Sequence, residues 1–248
     1  MRIAVAGGTG VVGRHVVDAV TAAGHEAVTV ARSRGVDLLT GAGLDAALAG
    51  VDTVVDATNV RSIREKTAVE FFAAAGRNLL AAEEKAGVGH HVTLSIVGVD
   101  RIPGYGYYRA KLRQEELVRS GRVPWTVLRA TQFHEFAGQM LDQVPGPVAP
   151  VPRMHVQPVA AREVAGRLAE VASGPAQRMA PEFAGPKEEE VVDMARRLLR
   201  ARGRRRWLVP FTFPGAAGAA MTGDALLPDG PGPRGTQTFQ EWLGEAAG

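Results

Sequence analysis

At 248 residues, with 46% apolar and 22% charged side chains, the chain can bury a large core and has the balance of a globular protein. The absence of cysteine excludes disulfides, thiolate metal sites and a cysteine nucleophile, and suits a reducing compartment. A formal net charge of +3 is too near balance to argue for a nucleic-acid partner, and no uninterrupted apolar run reaches the roughly 20 residues of a membrane span.

Taken in order, Met1 to Ala6 reads as a short strand. Glycines follow, then Val12, Val16 and Val20 at helical spacing to about Ala23. "HEAVTVA" is a second strand, "GLDAALAG" a short helix and "VDTVVDAT" another strand. Arg64 to Lys85 reads as a long helix with Val69, Phe72, Leu79 and Leu80 on one face. "HHVTLSIVG" is a strand, Tyr107 to Ser120 a helix and "PWTVLRA" a strand. Strands alternating with helices predict an α/β fold, a doubly wound parallel sheet of Rossmann type.

Beyond residue 130 the pattern loosens. Pro145, Pro147, Pro150, Pro152 and Pro158 crowd one connection. A helix from Ala161 to Ala172, a strand "EFAG" and a helix from Lys187 to Arg202 are expected next. That last helix would carry "KEEE" at its start and the basic run Arg196 to Arg206 at its end, which suits the helix dipole. The basic run reads either as a solvated helix end or as a patch for an anion or partner. Residues 211–236, rich in Gly and Pro, read as loops before a short helix near Trp242. The expectation is one Rossmann-type domain over residues 1–248, with a substrate lobe built mainly from 131–158 and 207–248. The N-terminus lacks a leader pattern, so a cytoplasmic protein is expected, monomeric or homodimeric, acting on a small molecule with no membrane partner.

"AVAGGTGVVGRHVV" sets Gly7, Gly10 and Gly13 between a strand and a helix. Glycine permits the tight turn and the close approach of a pyrophosphate, and the helix start offers free N–H groups from Val11 and Val12 onward. Thr9 adds a hydroxyl. After the second strand, sites that prefer NAD place a carboxylate for the ribose hydroxyls. Here Arg32, Ser33 and Arg34 stand instead, suited to a 2′-phosphate, so NADP(H) is expected over NAD(H).

The G-x-x-G-x-x-G spacing resembles the short-chain dehydrogenase/reductase superfamily, and its atypical NmrA-like branch in particular. The resemblance extends through "GVDTVVDATN", "GRNLLAAEEKAGVGHHVTLS", "YYRAK" and "QPVAAREVA" followed by "FAGP". It implies that Asp37 meets the adenine and that Ala57, Thr58 and Asn59 lie under the adenine ribose. It also implies a catalytic Y-x-x-x-K pair in Tyr107 and Lys111, which stand four residues apart on one helical face. Lys111 would donate to the nicotinamide ribose, and its charge would favour the Tyr107 phenolate. Ser95 would steady the substrate oxygen. Ile96 stands where many members carry a second serine, and no asparagine stands near Phe72 or Ala73, where many members carry a supporting one. Tyr105, Gln132, Phe133 and His134 are candidates to line the substrate pocket, and metal-ligand spacing is absent. The resemblance implies an NADP(H)-dependent oxidoreductase acting on a carbonyl, quinone or enone. Its alternatives are a dinucleotide-sensing regulator without turnover, and an epimerase, isomerase or dehydratase using the same cofactor site.

Overall fold

Val and Ala dominate β1 (Arg2–Ala6), whose residues 3 to 6 are wholly buried. A strand this uniformly apolar belongs inside a parallel sheet covered on both faces. The structure is a computed structural model describing residues 1–60 and 65–246. The described residues within Met1–Ile96, Tyr105–Arg129 and Arg162–Pro181 form one unit, and those within Val97–Gly104, Ala130–Ala161 and Glu182–Gly248 a second.

In the first unit β1 leads through a glycine loop to α1 (Gly13–Ala22), then β2 (Glu26–Val30), α2 (Leu44–Leu48), β3 (Thr53–Asp56) and α3 (Glu65–Ala86). β4 (His90–Ile96), α4 (Gly106–Ser120) and β5 (Trp125–Ala130) follow. β1 pairs in parallel with both β2 and β3, and β3 pairs in parallel with β4. The six-stranded sheet closes with the two-residue β8 (Arg178–Met179) beside β5, in the order β2-β1-β3-β4-β5-β8. The chain reverses direction across the sheet at β1 and β3. Parallel α/β sheets take ligands at the carboxyl ends of the strands at such a reversal.

α3 buries Ala68, Phe72, Ala75, Gly76, Leu79 and Ala82, a stripe at helical spacing. The small residues let α4 approach closely: a Cβ on Gly76 would touch Leu117 at 3.6 Å. Phe72 and Leu79 are each 1% exposed and contribute about 1.5–3 kcal/mol apiece.

The second unit holds α5 (Phe136–Gln143), β6 (Val148–Pro152) and β7 (His155–Val156). α6 (Ala161–Ala172) returns the chain to the first unit. The second unit resumes with β9 (Glu189–Glu190), α7 (Val191–Ala201), β10 (Trp207–Phe211), α8 (Gly215–Thr222) and α9 (Phe239–Ala246). β6 pairs in parallel with β10, and β7 antiparallel with β9.

The alternating pattern to residue 130 stands as expected; the predicted helix start at Arg64 lies outside the described residues. Differences gather later. Glu189 and Glu190 form β9 against Val156 and His155, so the "KEEE" acids precede α7 rather than opening it. Glu189 instead pairs with Arg197. "EFAG" forms isolated bridges, Ala130 to Phe183 and Ala184 to Arg234, not a strand. α8 falls where glycines suggested loop: a Cβ on Gly218 would stand 1.8 Å from Phe213 O, so that glycine serves close packing within a helix otherwise rich in alanine.

Candidate active site

The glycine loop is set by contacts that no side chain would tolerate. Gly7 has φ +75°, and a Cβ there would lie 2.9 Å from Ala57 O and 3.1 Å from Thr58 Cα. A Cβ on Gly13 would lie 2.1 Å from Gly7 O. The first glycine therefore lets the loops after β1 and β3 touch, and the last seats α1 on its own loop. Gly10 N donates to Gly7 O at 2.8 Å, while Thr9 and Gly10 are exposed. Val11 is half-buried and Val12 is 5% exposed, so Val12 offers its backbone rather than its side chain. No side chain caps α1, and its first turn holds no acid. Such a helix start is suited to an anion.

Past β2, Arg32, Ser33 and Arg34 form one exposed helical turn. Neither arginine has an ion-pair partner among the described residues. Asp37 Oδ1 accepts from Leu39 N at 2.8 Å and so shapes its own turn. Asn78 holds the same turn, donating to Leu38 O and Leu39 O.

α4 carries the tyrosine cluster. Tyr107 donates to Asn59 Oδ1 at 2.8 Å. Asn59 follows Ala57 and Thr58, the residues that touch Gly7. A continuous line thus runs from the glycine loop through the loop after β3 to the phenol. Burial and the neighbouring Tyr105 push the Tyr107 phenol well above its ordinary value. The expected lowering by Lys111 is not there, because the ammonium turns elsewhere. Lys111 Nζ, on a residue 4% exposed, donates to Leu94 O at 2.7 Å and to Gln114 Oε1 at 2.5 Å, and lies 4.9 Å from the centre of the Phe72 ring. Burial pushes it down to about 8, against the pull of Asp56 and Glu115. Gln114 Nε2 donates to Asp56 Oδ2 at 2.7 Å, and Asp56 Oδ1 accepts from Thr58 N. The network therefore runs from Lys111 back to the loop beside Gly7. Phe72, at the position left without asparagine, faces the ammonium. Tyr108 is buried against Tyr105, rings edge to face at 5.1 Å, and burial pushes the Tyr105 phenol up.

Ser95 stands near the end of β4, 2% exposed, and its Oγ has no hydrogen-bond partner among the described residues. Two positions along each way on a strand share a face, and Thr93 and His91 lie on that face. His91 Nδ1 meets both carboxylate oxygens of Glu83 at 2.8 Å, and Nε2 meets Thr93 Oγ1 at 2.7 Å. Burial opposes the imidazolium, yet the Glu83 carboxylate holds His91 above its ordinary value; burial raises Glu83. His91 ties β4 to α3 through Glu83, a structural part.

In the second unit, Gln132, Phe133 and His134 run beside Val159. Val159 N donates to Gln132 O at 2.9 Å, and His134 N to Val159 O at 3.1 Å. His134 is wholly buried, its Nε2 3.0 Å from Gln237 O, its ring 5.7 Å from that of Phe239 and 5.9 Å from that of Trp242, which stack on each other. Gln132 is 8% exposed and Phe133 half-buried. The sequence named Tyr107, Lys111 and Asn59 but not Gln114, the side chain that holds Lys111. Gln114 stands three positions from Lys111 on one helical face, a signal open to sequence reasoning.

A parallel sheet, a reversal of strand order between β1 and β3 and a glycine loop feeding an uncapped helix define a dinucleotide-binding Rossmann fold. The NAD(P)H-binding family matches over residues 7–171, and the chain belongs to it. Photosystem II assembly factor Ycf39 of Synechocystis sp. is 27% identical over 183 residues, covering 64% of this chain and 56% of that protein. The chain thus spans little more than half the length of that relative. A short-chain dehydrogenase/reductase superfamily protein from Agrobacterium tumefaciens with bound NAD superposes with a TM-score of 0.71, at 19% identity over 100% of this chain and 96% of that one. The NADPH-dependent quinone oxidoreductase QOR2 of Escherichia coli, complexed with NADPH, gives 0.68 at 19% identity, over 98% and 99%. The resemblance to short-chain reductases holds for the fold, and the relatives include both NAD and NADPH complexes. Among the described residues no helix is long and apolar enough to cross a membrane. Among them, too, no group of three His, Cys, Asp or Glu is placed to hold a metal ion.

Proposed function

We propose that the chain is an NADP(H)-dependent oxidoreductase of the atypical short-chain type, acting on a small carbonyl, quinone or enone in the cytoplasm. The bound nicotinamide would supply or accept the hydride. The residues fit such a cofactor: Gly7, Gly10, Gly13 and the start of α1 would hold the pyrophosphate, with Thr9 beside them. Ala57, Thr58 and Asn59 would border the adenosine side, with Asp37 shaping the adenine turn. Arg32, Ser33 and Arg34 would hold the 2′-phosphate by charge-assisted hydrogen bonds.

The observation that carries the reading is the line Gly7–Ala57–Thr58–Asn59–Tyr107, which brings a protonated phenol to the carboxyl edge of the sheet. The phenol holds its proton at neutral pH, the form from which a proton can pass to a carbonyl oxygen; burial raises its pKa and so weakens it as an acid, and the positive ring of a bound oxidised nicotinamide would act in the other direction. Ser95 Oγ, buried and without a hydrogen-bond partner among the described residues, would have a donor and acceptor to steady that oxygen. Lys111 is assigned to positioning, since two of its protons are committed to Leu94 O and Gln114. His134 is left out of the chemistry because it is enclosed by Gln237, Phe239 and Trp242. Residues 131–158 and 207–248 keep the proposed role of selecting the substrate.

The same commitment of Lys111 favours one alternative, a dinucleotide sensor without turnover. A panel of aldehydes, ketones, quinones and enones with NADPH or NADH, followed by absorbance of the reduced nicotinamide, separates the two. NADPH consumption with at least one member is expected. Tight NADPH binding with no consumption across the panel would favour the sensor.

A further inference from the structure

We propose that the two-stranded sheet of β6 and β10 is a docking face for the surface of an anionic phospholipid membrane. In this parallel pair Trp207 lies opposite Val148, Val209 opposite Pro150 and Phe211 opposite Pro152. Residues opposite each other in register point to the same side of a sheet. On the other side Ala149 and Val151 are buried and Leu208 and Pro210 half-buried. The outer side presents Trp207 at 80% exposure, Val209 at 49%, Val148 at 42% and Phe211 at 37%. Only three other large apolar side chains are exposed among the described residues, and none is on this sheet. A contiguous apolar face of this kind marks an interaction site.

Its ends are basic. Arg204 and Arg205, exposed, lead directly into β10, and Arg153, exposed, follows β6 at the far end. None of these three has an ion-pair partner among the described residues. The nearby acid Asp142 lies 3.8 Å from Arg202. Arg206 is committed to the carbonyls of Leu141, Val144 and Val148, fixing the start of the strand. An apolar centre headed by an exposed tryptophan, between unpaired arginines, matches the layering of a membrane interface. Trp sits at the headgroup level, and arginines meet the anionic headgroups. A second copy of the chain fits less well, since both ends of the face carry like charge. A protein partner of ordinary size would need about 20–30 residues a side, far more than this face offers. The sequence expectation of no membrane partner rested on the lack of a spanning segment, which a surface contact does not require.

The test is co-sedimentation of the full chain with phosphatidylcholine vesicles, with and without phosphatidylglycerol, at low and high ionic strength. Binding is expected only to the anionic vesicles and should weaken with salt. Each arginine near an anionic surface is worth roughly a fivefold change in partitioning, so Arg204→Gln with Arg205→Gln should weaken binding by about 25-fold. Trp207→Ser should weaken it as well. All three side chains are exposed, so the melting temperatures should stay at the wild-type value, which separates lost binding from lost fold. Equal sedimentation with both vesicle types, none with either, or variants that bind like wild type would each overturn the proposal. So would a concentration-dependent dimer that Trp207→Ser dissolves, which would assign the face to a second copy.

Discussion

Tyr107 on α4 donates its phenolic proton to Asn59 on the loop after β3, across 2.8 Å. The same Asn59 oxygen accepts from Val60 N at 2.7 Å, so the amide is held from its own loop and directs the phenol. Asn59→Ala removes the acceptor and leaves the ring free to turn. Losing one neutral hydrogen bond costs about 0.5–1.5 kcal/mol of stability. A mispositioned proton donor costs more in turnover, on the order of 10-fold or more. The expected pattern is a small drop in the urea midpoint with a larger drop in kcat, and combination with Tyr107→Phe should add little further loss of kcat. Independent, multiplying losses would show that the two residues act separately.

Under the proposed reading Arg32 and Arg34, exposed and without an ion-pair partner among the described residues, would govern the choice of cofactor. A charge-assisted contact to a 2′-phosphate is worth about 1.5–3 kcal/mol, or roughly 10- to 150-fold in affinity. Calorimetric titration should show NADPH binding tighter than NADH by that order, and Arg32→Ala should close much of the gap while leaving NADH unchanged. Equal affinities in the wild type would contradict the assignment.

Lys111 should make stability depend on alkaline pH. Its folded pKa, pushed down to about 8 by burial, lies below the ordinary lysine value of 10.5. Between those values the unfolded chain holds a proton that the folded chain has released, so raising the pH favours the folded state. At about 1.4 kcal/mol per pH unit, the wild type should gain roughly 1–2 kcal/mol over Lys111→Met between pH 7.5 and 9.5. Urea unfolding of both proteins across that window is the measurement. A constant difference would mean that Lys111 keeps an ordinary pKa.

The glycines should differ in a graded way. Gly13→Ala drives a methyl to 2.1 Å from Gly7 O, a backbone atom, whereas Gly10→Ala meets only Gly7 O at 3.1 Å with an ordinary φ. Overpacking of the first kind costs about 1–3 kcal/mol. Thermal melting should show Gly13→Ala clearly destabilised and Gly10→Ala near wild type. Both should bind dinucleotide more weakly, because each methyl faces the loop that would hold the pyrophosphate.

The first half of the fold was legible because its signals are local. β1 and β3 are short apolar runs and α3 repeats its buried residues at helical spacing, so the sheet could be read to residue 130. β6, β9 and β10 were not, because their pairings join distant segments and prolines disguise β6 and β10. α8 was hidden by glycines that serve packing. At the site, the glycine loop and the positions of Tyr107 and Lys111 were legible. Where the ammonium turns was not: that depends on Leu94 O, Gln114 and the Phe72 face, which tertiary packing alone brings together.

The most direct measurement is the turnover of Tyr107→Phe beside its NADPH affinity. The variant keeps the ring that lies 6.3 Å from that of Phe72 and loses only the hydroxyl. With any substrate that the wild type reduces, kcat should fall by something like 10²- to 10⁴-fold, as for a lost general acid. The dissociation constant for NADPH should stay within a few-fold of wild type. Turnover equal to wild type would contradict the assignment of Tyr107 as the proton donor.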